Sequence, residues 1–402
     1  MRFGAIQVSY VLALAAVGAT TGCRSPLEGI SQTAMAAQSP DGPPADVVPT
    51  RRDADDVARF IAGLPGTPGT PFADLEATGA WKEHRQRLDE AWLRAGPQLI
   101  DGLREFQRSE LNDRVLGETE VFYPFGGPDS LTVTLLFPHN PVYVMVGLEP
   151  SGTLPGPAQL GHKDLARYLA ETRDTVASEL GRSFFITRQM DREFRGQVTD
   201  GLIVPILHLL VRTGKSILGF RYVRLDEQGN VIERAANYHA PGRIGNKGIE
   251  IEFRSEGEPA THKLYYFTVN LADDRLKENP AFLLYVGRMK GVTTLLKATS
   301  YMTHMRRFSM IRQQILDHSS AVLQDDSGIP YRFFQTPEWR VQLYGEYNRP
   351  YGSFRWMEQP NLRKAFESGG AKPLALRIGY GYSKIASNLL LARRADTHSA
   401  QR

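Results

Sequence analysis

Residues 297–330, KATSYMTHMRRFSMIRQQILDHSSAVLQDDSGIP, form the stretch that decides how the C-terminal half of this chain is interpreted. Between residues 300 and 323, side chains recur at the three- and four-residue spacing of one helix face. The positions on that face are His304, Phe308, Ile311, Ile315, Ser319 and Val322. The pattern predicts one amphipathic helix over residues 300–323, packed on a core, with His304 as the polar exception on its buried face.

The loop after this predicted helix, QDDSG at residues 324–328, is the first candidate site. Asp325 and Asp326 are residue types that act as acid and base or hold a hard cation, and Ser327 offers a hydroxyl nucleophile. The same residues have a structural interpretation, because Asp and Ser side chains before Gly and Pro commonly end a helix by bonding to the backbone. Both interpretations stay open at the level of the sequence.

Two histidines are candidates for completing a catalytic group with this loop. A helix that reaches Ser320 would place His304 about 24 Å from its end, at about 1.5 Å per residue. The five residues from there to Asp325 recover at most about 17 Å. We therefore expect His304 to take a partner from elsewhere in the chain, and His318 to lie nearer the loop. The candidate catalytic residues are His304, His318, Asp325, Asp326 and Ser327.

Upstream, β-rich runs at residues 120–125, 131–137 and 142–148 are separated by short polar turns, which predicts a β-meander. The turn Gly-Gly-Pro-Asp at residues 126–129 can surround a ligand with backbone N–H groups, or it can be a tight structural turn. A predicted strand at residues 339–347 carries tyrosines that would form an aromatic surface near the acidic loop. The candidate ligand-binding residues are Tyr123, Asp129, Gln324, Tyr344 and Tyr347, with Tyr351 beside them.

The remaining periodicity predicts an α+β fold, with a mixed, largely antiparallel sheet or sheets packed with amphipathic helices. Predicted helices lie at residues 79–95, 97–110, 162–180, 279–289 and 360–367. Further predicted strands lie at residues 216–225, 231–235, 249–253, 262–271, 374–382 and 388–392. Trp81 and Trp92 recur at helical spacing and are interpreted as core residues. We expect one globular unit at residues 72–394, with lobes at 72–272 and 273–394 as an alternative, and a polar tail at 395–402.

The N-terminus has the pattern of an export signal. Residues 1–22 combine a short basic start with an apolar run, and Cys23 follows Thr-Thr-Gly, where a lipoprotein signal places its lipidated cysteine. Thr20 departs from that pattern, because leucine is usual at this position, and the alternative is an ordinary cleaved signal. Residues 23–71 are rich in Pro, Gly, Ala and Thr and predict a flexible linker with a span of about 40 Å. A short helix is expected within it at residues 51–61.

Composition excludes several classes of function. A chain of 402 residues that is 42% hydrophobic and 23% charged buries a sizeable core. Its formal charge of +4 is too small to indicate nucleic acid as a partner. A single cysteine excludes a disulfide scaffold. His208 lies in the apolar run at residues 202–211 and is interpreted as a core histidine, because no second histidine or carboxylate stands at metal-ligand spacing from it. The sequence indicates no particular cofactor.

Three motifs are specific enough to mark relatives: YPFGGPDSL at residues 123–131, SYMTHM at 300–305 and LQDDSGIP at 323–330. In these motifs the chain resembles a family of exported bacterial proteins, lipoproteins among them, to which no activity is attached. The resemblance implies export, and it carries no functional residue over to this chain.

The first functional expectation is a lipoprotein of the bacterial cell envelope that binds a ligand or a protein partner. It would be held on a membrane through Cys23 and face the periplasm, with the outer membrane favoured over the inner one. The second expectation is a periplasmic hydrolase that uses Asp325 and Asp326 with a histidine. A purely structural envelope protein is the third.

Overall fold

One ten-stranded sheet organises the computed structural model, which describes residues 51–111, 114–154, 165–182, 201–235, 246–380 and 387–395. In chain order its strands are β1 (Val121–Tyr123), β2 (Val142–Gly147), β3 (Lys215–Leu225), β4 (Val231–Glu233), β5 (Lys247–Ser255), β6 (His262–Thr268), β7 (Val292–Leu296), β8 (Ser319–Gln324), β9 (Trp339–Gly345) and β10 (Asn388–Arg394). Across the sheet they lie in the order β4-β3-β5-β6-β2-β1-β7-β8-β10-β9.

The five central strands, β6, β2, β1, β7 and β8, are parallel to one another. Antiparallel strands extend the sheet on both sides, with β5, β3 and β4 beyond β6, and with β10 and β9 beyond β8. Five of the nine pairings are antiparallel, which confirms the predicted α+β class with a mixed, largely antiparallel sheet. Parallel neighbours need long crossover connections, and helices therefore cover this sheet.

Twelve α-helices are present in the part of the chain that the structure describes. They are α1 (Arg51–Ile61), α2 (Ala73–Glu76), α3 (Gly79–Ala95), α4 (Asp101–Glu110), α5 (Arg114–Gly117), α6 (Ser130–Leu136), α7 (Leu165–Arg182), α8 (Ile203–Arg212), α9 (Asp273–Glu278), α10 (Ala281–Val286), α11 (Ser309–His318) and α12 (Pro360–Glu367). A π-helical turn, Gly96–Ile100, joins α3 to α4. None of the described helices combines the length and the apolar character needed to cross a membrane.

The sheet is buried on both faces. In β2, Tyr143 and Met145 belong to a first core that the sheet forms with α1, α3, α4, α6, α7 and α8. Their neighbours Val144 and Val146 belong to a second core, formed with α9 to α12. Successive side chains of a strand point to opposite faces, so a strand covered on both sides is apolar at nearly every position. This explains the unbroken apolar run of β2 and makes the domain a three-layer sandwich.

The predicted β-meander at residues 120–148 is wrong. β1 and β2 are parallel neighbours, and residues 131–137 form most of α6 instead of a strand. The Asp129 carboxylate accepts a hydrogen bond from the Thr132 N–H at 3.0 Å and thereby begins the helix. Packing outweighs the β propensity of the threonines and the valine in α6, because every side chain of this helix is buried.

The predicted helix over residues 300–323 is also wrong. α11 covers only Ser309–His318, two 3₁₀ turns precede it, and β8 follows it directly. The helical spacing continued into β8 because Ser319 and Val322 lie three residues apart and both are buried, so a short piece of buried strand also fits the helical period. His304 precedes α11, so no helix separates it from the acidic loop in the way that the sequence predicted.

Residues 51–71 belong to the domain and not to a linker. α1 forms at the expected place, and its side chains Ala54, Val57 and Phe60 are buried in the first core. The predicted linker therefore extends no further than the residue before α1. The predicted signal peptide and Cys23 lie outside the described residues.

The C-terminal part of the chain is not a separate lobe. Strands from before residue 272 form one side of the sheet and strands from after it form the other, but β1 and β7 pair directly and both cores contain residues of either part. The division into lobes at residues 272 and 273 is therefore not observed. The predicted closing hairpin at residues 374–392 is wrong as well, because β10 pairs with β8 and β9. Of the predicted polar tail, only residue 395 is within the described residues.

The two tryptophans of α3 are core residues, as predicted. Trp81 is 3% exposed, and its indole N–H donates to the Phe60 carbonyl at 3.0 Å. Trp92 donates to Nε2 of His208 at 3.1 Å, and the two rings stack with their centroids 5.8 Å apart. His208 is therefore a buried partner of Trp92, in agreement with its interpretation as a core histidine within an apolar run.

Acidification should destabilise the domain through His84 of α3. Burial lowers the pKa of His84 to about 4, and its ring nitrogens face the carbonyls of Ile61 at 2.8 Å and Leu169 at 3.2 Å. An unfolded histidine titrates near pH 6.5, so the contribution of neutral His84 to the free energy of unfolding is fully present above about pH 6.5. It is lost as the pH falls towards 4, to a total of about 3 kcal/mol. Urea unfolding at about pH 7.5 and about pH 4.5 measures this loss.

Two histidine variants isolate that contribution. His84→Gln does not titrate and should show a shallower pH dependence of stability than the unchanged protein. His139→Gln replaces a histidine whose side chain is 61% exposed, and it should keep the original dependence. An unchanged pH dependence in His84→Gln would contradict the assignment.

Candidate functional site

The connections between the parallel strands reverse direction at β1. From β1 the chain passes through α6 to β2 on one side, whereas β7 on the other side of β1 leads through α11 to β8. α6 and α11 pack on opposite faces of the sheet. Open α/β sheets bind ligands outside the carboxyl ends of strands where such a reversal occurs. We call this place, bordered by residues 124–129 and 297–301, the switch point.

A buried ion pair joins the two loops of the switch point. Lys297 Nζ lies 2.5 Å from Asp129 Oδ2, and the two residues are 3% and 1% exposed. Tyr123 donates to the same carboxylate oxygen at 2.9 Å, and Lys297 also donates to Thr132 Oγ1 at 3.0 Å. Tyr123 and Asp129, two of the ligand-binding candidates from the sequence, are thus brought together, but beneath the surface. A charge buried this deeply needs a partner of opposite sign, so each loop depends on the other.

Left-handed backbone is concentrated at the switch point. Ala298, Ser300 and Tyr301 have φ of 50°, 52° and 56°, and Phe125 in the facing loop has φ 64°. Among the described residues that are not glycine, only Asn246 shares this property. Such conformations cost about 1–3 kcal/mol each and persist only where surrounding contacts hold them, which is common at functional sites.

Asp325 and Ser327 hold the left-handed loop in place. Asp325 Oδ2 accepts the Ala298 N–H at 2.8 Å, and Ser327 Oγ accepts the Thr299 N–H at 2.8 Å. Asp325 Oδ1 accepts in turn from the N–H and the hydroxyl of Ser327, at 2.9 and 2.5 Å. Burial raises the pKa of Asp325, and these hydrogen bonds, together with the charge of Lys297, oppose the rise. Both side chains, predicted as catalytic, therefore bond to backbone.

Asp326 is held in separate polar contacts. Its Oδ2 accepts from the Tyr301 hydroxyl at 2.5 Å, and its Oδ1 accepts from Asn388 Nδ2 at 3.2 Å. Asn388 Oδ1 accepts the Asp326 N–H at 2.9 Å. Burial, followed by the negative charge of Asp325, raises the pKa of Asp326 to about 7. The pKa of the Asp326 carboxyl group is thus raised, yet this group is enclosed by the side chains to which it bonds.

His304 is closer to the acidic loop than the helix-length argument allowed. Its ring meets the Tyr301 ring edge-on, with the centroids 5.1 Å apart. Burial lowers the pKa of His304 to about 4, and a hydrogen bond with the Gly328 backbone opposes this shift, so the imidazole is neutral at pH 7. Because Tyr301 also bonds to Asp326, His304 contacts the acidic network through Tyr301.

His318 and Gln324 are not part of the switch point. His318 ends α11 at the start of β8, whereas Asp325 follows the end of the same strand, so about 20 Å of strand separates them. The expectation that His318 lies near the acidic loop is wrong. Gln324 is 2% exposed, and its side-chain amide bonds to the N–H and the carbonyl of Ile329 at 2.8 and 2.7 Å. Gln324 therefore shapes the turn.

The aromatic surface predicted from Tyr344, Tyr347 and Tyr351 is not formed, because only Tyr351 is exposed. Tyr344 packs edge-on against Phe106 in the first core and donates to Glu110 at 2.8 Å. Tyr347 packs against the second core, where its ring lies 6.1 Å from that of Phe366. The two tyrosines are three residues apart along extended chain, which directs them to opposite faces.

Two partly exposed polar residues meet at the switch point, Ser300 and Tyr380, and sequence reasoning missed both. Ser300 Oγ lies 2.6 Å from the Tyr380 hydroxyl, which donates to the Ala298 carbonyl at 2.9 Å, and both residues are partly exposed. Burial raises the pKa of Tyr380, with the charge of Asp325 adding to the rise, so the phenol keeps its proton. No sequence signal links Ser300 to Tyr380. Lys297 could have been identified as a site residue from the sequence, because this lysine directly follows an apolar strand.

Lys297→Met should be strongly destabilising. It leaves the Asp129 carboxylate buried without its cation, and such a loss lowers the free energy of unfolding by about 3–5 kcal/mol, which urea denaturation measures. Lys372→Met is the matched control. Lys372 pairs with Glu110 at 2.8 Å, but its side chain is 50% exposed, and its loss should cost less than about 1 kcal/mol. Equal losses in the two variants would contradict the dependence of the loops on the buried pair.

Gly379→Ala should release the left-handed loop. Gly379 has φ 72°, and a Cβ at this position would overlap Asp325 Oδ2, which holds the Ala298 N–H. In the matched control, Gly369→Ala, φ is 84° and no atom lies within 4 Å of the added Cβ. We expect Gly379→Ala to lose about 2 kcal/mol more stability than the control, through the added overlap.

Hydrogen exchange at the Ala298 amide should also be faster in Gly379→Ala than in Gly369→Ala, because this amide loses its acceptor. Equal exchange in the two variants would show that the Asp325 carboxylate does not hold the loop. The comparison reports on one hydrogen bond and does not require a known ligand.

Comparison with known proteins adds no assignment. The chain matches no family model, no curated protein and no solved structure. Within the ranges that the structure describes, no group of three or more His, Cys, Asp or Glu side chains is arranged to hold a metal ion. The residues of the switch point are therefore the basis on which a function is proposed.

Proposed function

We propose that the protein is a lipoprotein of the bacterial cell envelope whose domain faces the periplasm and binds a small polar ligand at the switch point. The observation that carries this proposal is the Ser300–Tyr380 hydroxyl pair, which is partly exposed above buried charges that bond to one another. Cys23 and the export signal support the tether, and the outer membrane is its favoured location. Nucleic acid is not proposed as a partner.

The strained backbone favours binding over a purely structural role. Ser300 lies in a left-handed loop that costs free energy, and Asp325, Asp326 and Ser327 hold this loop through buried hydrogen bonds. These contacts set the position of the Ser300 hydroxyl before any ligand arrives. Preorganisation of this kind raises affinity, because less conformational freedom is lost on binding.

The same contacts argue against a hydrolase built on the acidic loop. A hydroxyl nucleophile needs a general base beside it that a substrate can reach. Ser327 is fully buried and donates to Asp325. Ser300 is partly exposed, but its partner Tyr380 keeps its own proton. Tyr380 therefore cannot take the serine proton as a general base would. Among the described residues, no hydrogen bond joins His304 to either serine. We therefore favour binding over hydrolysis.

Ligand-observed NMR against a panel of small polar molecules tests the binding site. The panel contains neutral sugars, amino acids, dicarboxylates and polyamines. We expect at least one binder whose dissociation constant rises about five- to tenfold in Ser300→Ala and in Tyr380→Phe, because each variant removes one hydrogen-bonding group from the site.

Ser109→Ala is the matched control for these variants. Ser109 lies on the exposed side of α4, and its hydroxyl bonds to the Glu105 carbonyl of the same helix. The control should bind as the unchanged protein does. If a binder has the same affinity for Ser300→Ala, Tyr380→Phe and Ser109→Ala, the ligand binds elsewhere. That result would contradict the assignment of the switch point as the binding site.

Metabolic labelling with palmitate tests the tether separately. We expect label on the unchanged chain and none on Cys23→Ala, since Cys23 is the single cysteine. Thr20→Leu brings the signal closer to the lipoprotein pattern and should be labelled at least as strongly. Equal labelling with and without Cys23 would exclude the lipid tether and leave the ligand site untouched.

A further inference from the structure

A short segment beside the switch point exposes two aromatic side chains. Tyr351 and Trp356 are each 62% exposed, in or next to the 3₁₀ turn Gly352–Met357. The other large apolar side chains classed as exposed in the described residues are leucines from three separate elements or loops. Two exposed rings thus lie within six residues of one another, and exposed apolar groups that cluster in this way are commonly used for binding.

Phe354 connects this aromatic segment to the switch point. Its ring lies 5.3 Å from that of Tyr301 and 5.5 Å from that of Tyr380, measured between centroids. Tyr380 bonds to Ser300, so the segment packs directly on the hydroxyl pair. Through Phe354, the segment that carries the exposed rings is therefore in contact with the residues around the hydroxyl pair.

The Trp356 indole is held in place by its own segment. Its N–H donates to the Ser353 carbonyl at 2.8 Å, within the 3₁₀ turn. Because the one polar atom of the indole is used in this bond, what the side chain offers to a ligand is the face of the ring. A ring held in this way binds a flat partner with little loss of freedom.

The aromatic segment carries no net charge, and the charged side chains at the switch point are buried. Residues 346–358 contain two arginines and two glutamates, so their formal charges cancel. Arg349 lies 3.4 Å from Glu358. At the switch point, the charge of Lys297 is balanced by Asp129 at 2.5 Å. The surface is therefore suited to an uncharged ligand and not to an anion.

We propose that this surface binds a neutral oligosaccharide, with one sugar unit on the rings of Tyr351 and Trp356 and another at the Ser300–Tyr380 pair. The proposal rests on the proposed function and names the class of its ligand. A sugar ring has an apolar face of C–H groups that stacks on the electron-rich face of an aromatic ring, and hydroxyls at its edge that exchange hydrogen bonds with side-chain hydroxyls. Stacking rings next to donor and acceptor groups match both parts of that chemistry.

An anionic membrane surface is the other class of partner that exposed Tyr and Trp side chains fit. Segments that bind anionic lipids add clusters of about 4–8 Lys and Arg. Residues 346–358 have no net charge, and their rings lead into a polar site that a bilayer would leave unused. These observations favour the oligosaccharide.

The test is calorimetric titration of the full-length chain carrying Cys23→Ala, so that no lipid contributes to binding. The probes are two uncharged oligosaccharides, cellotetraose and chitotetraose, with phosphatidylglycerol vesicles as the comparison. We expect at least one oligosaccharide to bind, with its dissociation constant raised about tenfold by Trp356→Ala and about five- to tenfold by Ser300→Ala. Trp356→Phe keeps an aromatic face and should stay within about threefold. Leu93→Ala, which replaces an exposed leucine of α3, should change nothing.

The outcomes separate this inference from the function on which it rests. If neither oligosaccharide binds while another molecule binds in a Ser300-dependent way, the sugar is excluded and the ligand site stands. Sugar binding that Trp356→Ala weakens and Ser300→Ala leaves unchanged would overturn the shared surface and the role of the switch point. Vesicle binding that Trp356→Ala abolishes, without sugar binding, would replace the oligosaccharide with a membrane. Binding to none of the probes would overturn the inference.

Discussion

The buried pair of Lys297 and Asp129 is the contact on which the centre of this protein depends. Its members follow neighbouring parallel strands, in which Val121 lies opposite Thr293. A pair of apolar residues could fill the same space without the cost of removing two charges from water, so stability alone does not explain it. What the pair supplies is geometry: Asp129 begins α6, and Lys297 begins the left-handed loop. One contact thus sets both borders of the switch point.

The acidic motif after β8 shows how residues typical of catalysis can act as scaffolding. Asp325 and Ser327 bond to the backbone of the facing loop, and Asp326 bonds to Tyr301 and Asn388. A carboxylate that accepts several short hydrogen bonds holds its donors in one geometry, but little of it remains for a substrate. The groups left for a ligand to contact are therefore those of the loop that these buried side chains hold.

Local sequence patterns predicted much of the secondary structure correctly. The incorrect predictions fall where contacts between distant parts of the chain determine the structure. The bounds of the helix Pro360–Glu367 were predicted nearly to the residue, because a proline marks its first turn. The hairpin of β3 and β4 was predicted equally well, because its polar turn is a signal within a few positions. Residues 131–137 were predicted as a strand, but residues 131–136 lie in α6, since burial on all sides is not visible in a single segment. At the site, Tyr123 and Asp129 were found because a short turn joins them. Ser300 and Tyr380 were not, because their contact depends on how distant parts of the chain come together.

The position of β1 also governs the order in which the protein can fold. β1 has three residues and becomes a central strand only when β2, close in the chain, and β7, far beyond it, lie on either side. Contacts between such distant segments form late, because the intervening chain must first be brought together. The hairpins of β3 to β6 and the early helices can form from local contacts, whereas the two borders of the switch point meet only after β7 has arrived. A partly folded chain would therefore carry much of the secondary structure and none of the proposed ligand site, so the proposed binding requires completed folding.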